Sequence, residues 1–121
     1  MIISCEVHSG LRRFPVLSRW SHIPDNPLVV EVEFLGHEAV WTWSLDMIRE
    51  AVRGAMGRVW GSGDVRMKID DRGLAVYLDV PDGKANLFFP LGEVEEFLSQ
   101  IDDSNAEMIL GQKLDEFLES L

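Results

Sequence analysis

Apolar and polar residues alternate in short runs along most of this chain, and each run predicts a strand. Residues 2–8 give a first strand of imperfect alternation, closed by the turn signal Ser9-Gly10. Residues 14–20 give a second. Pro15 has no N–H for a ladder, so an edge strand or a strand start is expected there. After the loop Ile23-Pro24-Asp25-Asn26-Pro27, residues 28–35 place Leu28, Val30, Val32 and Phe34 on one face and Glu31 and Glu33 on the other. Gly36-His37-Glu38 turns the chain into residues 39–43, where Trp41 and Trp43 share a face.

The period then changes from two to nearly four. Ser44 is suited to an N-cap, with Asp46 in the first turn at the positive end of the helix dipole. A helix is expected to about Met56, with Leu45, Ile48, Val52 and Met56 on one face and Gly57 at its end. Three more strands follow, at 64–70, 74–80 and 84–89, turning at Asp71-Arg72-Gly73 and Pro81-Asp82-Gly83. Ala85, Leu87 and Phe89 fall on one face of the last strand and Phe88 on the other. Pro90 opens a helix that turns Val94, Phe97, Leu98 and Ile101 inward. Ser104 and Glu107 make a capping box for a final helix with an apolar stripe, suited to docking on the domain or to pairing in an oligomer. The order ββββα-βββαα predicts one α+β domain over residues 1–121, built of antiparallel sheets with helices.

The two halves meet at Trp60-Gly61-Ser62-Gly63-Asp64. This stretch is not a phosphate loop. GxGxxG fails at Arg66, no Walker lysine follows, and the order is helix then strand rather than strand then helix.

Composition narrows the class. With 46% hydrophobic and 26% charged residues a core is available and disorder is not expected. One cysteine, Cys5, rules out an internal disulfide and fits a reducing cytoplasm. The N-terminus lacks a signal-peptide pattern, and no run approaches the roughly 18 apolar residues of a membrane span. The net charge of −10 is all in residues 70–121, because the eight acids and eight bases of residues 1–69 cancel. Such a surface repels phosphate backbones and anionic lipid. It serves solubility, or docks a basic partner.

No catalytic constellation emerges. His8, His22 and His37 have no zinc spacing, and there is no GxSxG, CxxC or calcium loop, so neither metal nor cofactor is expected. Cys5 falls in a strand, as a small buried hydrophobe more than as a nucleophile. Trp41 and Trp43 serve as core or subunit contact, with a nucleobase platform as the alternative. Arg49 and Arg53 lie one helical turn apart, as surface arginines or as a two-pronged anchor for an acidic peptide.

Phe14-Pro15-Val16, Asn26 to Val30, Trp41 to Ile48, Gly61 to Met67, Val80 to Ala85, and Pro90 with Val94 to Leu98 are six motifs that, in this order, resemble the SsgA-like family of sporulation and cell-division proteins. Gly61-Ser62-Gly63-Asp64-Val65-Arg66-Met67 resembles the family's GxGDVRV signature, and Phe14-Pro15-Val16 its VPV strand. Asn26-Pro27-Leu28-Val29-Val30 is similar to DPYAV, and Trp41-Thr42-Trp43-Ser44-Leu45-Asp46-Met47-Ile48 to WxFARDLL. Val80-Pro81-Asp82-Gly83-Lys84-Ala85 resembles SPxGxA, and Pro90 with Val94 to Leu98 resembles Pro…LxxFL. The chain departs from the pattern at Leu45, where the family has Arg, and at Val59-Trp60, where a Pro-Thr pair is common.

The resemblance implies a whirly-like fold, a homotrimer and no catalysis. It implies an SsgB-like adaptor in the cytoplasm at the division septum, with FtsZ and other SsgA-like proteins as partners. The alternatives are a single-stranded nucleic-acid-binding module, against which the charge argues, and a paralogue controlling septal or spore-wall peptidoglycan. Trp60, on its glycine-flanked loop, either anchors the partner together with Arg49 and Arg53 or folds back on the domain.

Overall fold

A computed structural model describes residues 1–101 of the chain. Seven strands form one antiparallel sheet: β1 (Ile2–Ser9), β2 (Arg12–His22), β3 (Val29–Phe34), β4 (Ala39–Ser44), β5 (Val65–Asp70), β6 (Gly73–Val80) and β7 (Gly83–Phe89). Their order across the sheet is β4-β3-β2-β1-β7-β6-β5. Each half of the chain is therefore a meander of neighbouring hairpins. The two meanders fuse through β1 and β7, where Glu6 lies opposite Phe88 and Val7 opposite Leu87. Helix α1 (Leu45–Arg53) connects the halves, and α2 follows β7 and is helical over residues 91–101. The α+β class and all seven strands agree with the sequence pattern, although the hairpins build one sheet rather than several. The capping box at Ser104 and Glu107 and the final apolar stripe lie outside the described residues.

One face of the sheet carries the core, and both helices contribute to it. Ile48 of α1 and Val94 of α2 are fully buried, as are Val30, Val32, Met67 and Val76 of the strands. Each such side chain contributes roughly 1.5–3 kcal/mol on leaving water. At the centre stands Trp20, completely buried and edge-on to Trp43, Phe89 and Phe97, with ring centroids 5.8, 5.1 and 5.5 Å away. Its indole Nε1 donates to Ser18 Oγ at 3.0 Å, and that hydroxyl donates to the Ile3 carbonyl at 2.7 Å. Ser18, the buried polar side chain of β2, is thus fully used, which is what makes its burial tolerable.

Three details differ from the sequence pattern. Pro15 does not mark an edge strand: β2 is interior, between β1 and β3. The pairing with β3 begins only at Ser18, however, and the Leu17 carbonyl accepts from Leu35 N on that side. Pro15 shares that direction, two residues before β3 arrives, so its missing N–H costs no ladder bond. Leu28 is not on the buried face of a strand. It precedes β3, is exposed, and its carbonyl receives the Leu45 N–H at 3.0 Å. Finally, α1 stops at Arg53 instead of Met56. Gly54 turns extended, and a side chain there would meet Trp60 Nε1 at 2.8 Å. Met56 consequently lies exposed, and Gly57, at a φ of +83°, binds the Ile69 carbonyl rather than ending the helix.

Candidate partner interface

Helix α1 starts where the sequence places it. Ser44 is extended, and its hydroxyl accepts the Met47 N–H at 3.2 Å. Leu45, Ile48 and Ala51 then go under, with Ala51 in place of the expected Met56. Arg49 is largely covered, its side chain 20% exposed and 3.9 Å from Asp46 one turn earlier. Arg53 is exposed in the last turn.

Residues 54–64 run back along β5, an outer strand of the sheet. Trp60 and Met67 exchange two backbone hydrogen bonds of 2.8 and 2.9 Å, and Gly57 N reaches the Ile69 carbonyl at 2.8 Å. The segment therefore occupies donors and acceptors that an open sheet edge would offer to another chain. Gly61 is required by contact as well as by its φ of +91°: a Cβ would fall 2.7 Å from the Val65 carbonyl and 2.9 Å from Met47 Cε. The glycines at this joint thus serve a turn and a close approach. Trp60 folds back so that its ring meets Gly54, just past Arg53, and the Arg58 guanidinium lies over it at 4.3 Å. Two of the three residues singled out in the sequence, Arg53 and Trp60, thus lie at the same end of α1, and Arg49 is one turn away. Arg58 is a fourth member that spacing on the helix could not reveal, because it is past the helix end.

The two tryptophans of β4 separate in role. Trp43 is buried against Trp20, Phe34 and Phe89. Trp41 is partly buried and lines a small groove of about 160 Å³ with Phe14, His37 and Leu78.

A larger pocket, about 690 Å³, opens on the face of the sheet away from the helices. Glu6, His8, Arg13, Pro15, Arg72 and Phe88 line it. His8 Nε2 and Glu6 Oε1 are 2.6 Å apart, and the His8 hydrogen bond, with smaller help from Arg72 and Arg13, holds the Glu6 carboxyl below its usual range. Below the pocket, burial pushes the Cys5 thiol from 9.0 up to about 12. Such a thiol is no nucleophile at neutral pH. Cys5 is expected to resist iodoacetamide at pH 9 in the folded protein and to react on unfolding, which mass spectrometry checks. Its contribution to stability is complete below the unfolded value of 9.0 and is lost as pH rises towards 12, because the unfolded chain ionises first.

No curated protein matches the chain. Solved structures share its fold, two of them over more than four fifths of this chain. One comes from work correlating mutations in SsgB with longitudinal cell division during sporulation of Streptomyces coelicolor. It has a TM-score of 0.76 at 22% identity and covers 86% of this chain and 85% of its own. The other is an SsgA-like sporulation-specific cell division protein from Thermobifida fusca, with a TM-score of 0.70 at 19% identity over 92% and 93% of the two chains. The family model described as Streptomyces sporulation and cell division protein, SsgA, matches residues 16–106, from β2 through both helices. The chain belongs to the SsgA family of sporulation and cell division proteins.

Proposed function

We propose that this protein is a non-enzymatic, SsgB-like adaptor of sporulating actinobacteria that positions FtsZ at septum sites. It would act as a homotrimer and in concert with other SsgA-like proteins. The observation that carries the proposal is the family match over residues 16–106. The surface best suited to the partner is the end of α1, where Arg53, Arg58 and Trp60 combine charge with a large amphipathic ring, a composition enriched at interaction hot spots. Arg49 extends it along the helix. Among the described residues no helix is long and apolar enough to cross a membrane.

Arg53→Glu tests this surface most cleanly, because Arg53 is exposed in the last turn of α1. The variant is expected to weaken binding to assembled FtsZ about tenfold, roughly 1.4 kcal/mol, and to lower the thermal midpoint by a few degrees, because a cation in the last turn of a helix contributes about 0.3–1 kcal/mol. Trp60→Ala is expected to lose affinity and some stability together, because the ring packs on the core. Full affinity in both variants would remove the end of α1 from the interface.

A further inference from the structure

The face of the sheet opposite α1 and α2 carries features that the family match does not account for. Sheet register brings Glu6 and His8 of β1, Arg13 and Pro15 of β2 and Phe88 of β7 together around the pocket of about 690 Å³. Arg72, from the β5–β6 turn, leans over Phe88 with its guanidinium 4.9 Å from the ring centroid, and the His8 ring stands 4.8 Å from the same ring. The Arg72 backbone is tied by its N–H to Asp70 Oδ1 at 2.8 Å, which fixes the turn.

The charges do not cancel within the pocket. Glu6 is engaged by His8 at 2.6 Å, and neither Arg13 nor Arg72 forms an ion pair among the described residues. Two guanidinium groups and a half-buried aromatic ring therefore line one cleft on a chain whose net charge is −10. The volume is that of an ordinary ligand cleft, roughly 300–1,000 Å³.

We propose that this pocket binds a short acidic segment of a partner protein, with carboxylates on Arg13 and Arg72 and an apolar side chain against Phe88. Guanidinium forks match carboxylates bidentately, and an aromatic floor rewards an apolar neighbour. A short acidic segment suits this chain better than nucleic acid, because the net charge of −10 repels a long polyanion, whereas a segment confined to the pocket need only reach Arg13 and Arg72. Elsewhere on the same face Glu33 is paired with Arg19 at 3.3 Å and Asp79 with Lys84 at 3.8 Å. The pocket and the end of α1 lie on opposite sides of the sheet, so one protomer could hold two partners at once. The proposal adds a second surface to the adaptor reading, and peptide binding is measured without FtsZ.

The test is fluorescence anisotropy at physiological salt with the full chain and a fluorescein-labelled peptide of glutamates around a central phenylalanine. The same peptide with glutamines and a labelled oligothymidylate serve as comparators. Arg13→Glu and Arg72→Glu are each expected to weaken peptide binding about tenfold. Arg66→Glu, an equal charge change elsewhere on the same face, is expected to leave binding unchanged. Thermal midpoints confirm that the variants fold. Equal weakening by Arg66→Glu, equal binding of the glutamine peptide, no binding of the acidic peptide, or tighter binding of the oligothymidylate each overturns the proposal. FtsZ pelleting is measured on the same samples: its absence from the unaltered protein defeats the adaptor reading alone, while the peptide result still decides the pocket.

Discussion

Trp20→Ala is expected to destabilise the protein by about 4 kcal/mol, the middle of the range of roughly 3–5 kcal/mol for truncating a buried aromatic. Three terms act together. The ring is completely buried, so its full transfer free energy is lost. It touches Trp43, Phe89 and Phe97, which come from β4, β7 and α2, so the cavity sits where both halves of the chain join and cannot close by moving one element. Ser18 Oγ also loses the indole donor, although it keeps its own bond to the Ile3 carbonyl. Against a total of roughly 5–15 kcal/mol for a domain of this size, the variant would stand near the limit of folding at 37 °C. Urea unfolding followed by tryptophan fluorescence measures it. A loss below about 1 kcal/mol would show that Trp20 is not the centre of the core.

Gly73→Ala is expected to be nearly as damaging, about 3 kcal/mol or more, for a backbone reason. Gly73 opens β6 at a φ of +115°, and a Cβ there would lie 2.3 Å from the Phe89 carbonyl oxygen and 3.1 Å from Leu91 N. Both atoms are backbone, at the junction of β7 and α2, and neither can rotate away. Relief would require shifting Phe89 in the core or the start of α2. Gly10→Ala provides the contrast: a φ of +61° with nothing within 4 Å leaves strain without a clash, and a cost of about 1 kcal/mol. Equal thermal midpoints for the two variants would refute the close contact at Gly73.

These two sites show how unevenly the sequence discloses the molecule. Gly73 was recognisable as a turn residue from Asp71-Arg72-Gly73, and the buried faces of β3 and β7 followed from simple alternation. Local patterns are set by the side-chain period of an element, and they do not depend on which element lies next to it. The joining of β1 to β7 does depend on that. Glu6 meets Phe88 across most of the chain, and no local period records it. The outer pocket inherits the same limit: Phe88 stood out as the odd aromatic of its strand, but His8, Arg13 and Arg72 could not be assigned to it. The early end of α1 has a related cause. Val52 and Met56 continue the helical spacing, whereas Trp60 packing on Gly54 ends the helix earlier. Arg49, Arg53 and Trp60 were visible as residue types, and folding back on the domain was one of two readings of Trp60; that it packs on Gly54 at the helix end was not visible.

The adaptor reading is tested most directly by co-sedimenting the purified full chain with GTP-assembled FtsZ from the same organism at physiological salt. The account predicts that the protein pellets with the polymers and stays in the supernatant without them. Protein that is folded and oligomeric yet remains in the supernatant at every FtsZ concentration would contradict direct recruitment of FtsZ by this chain.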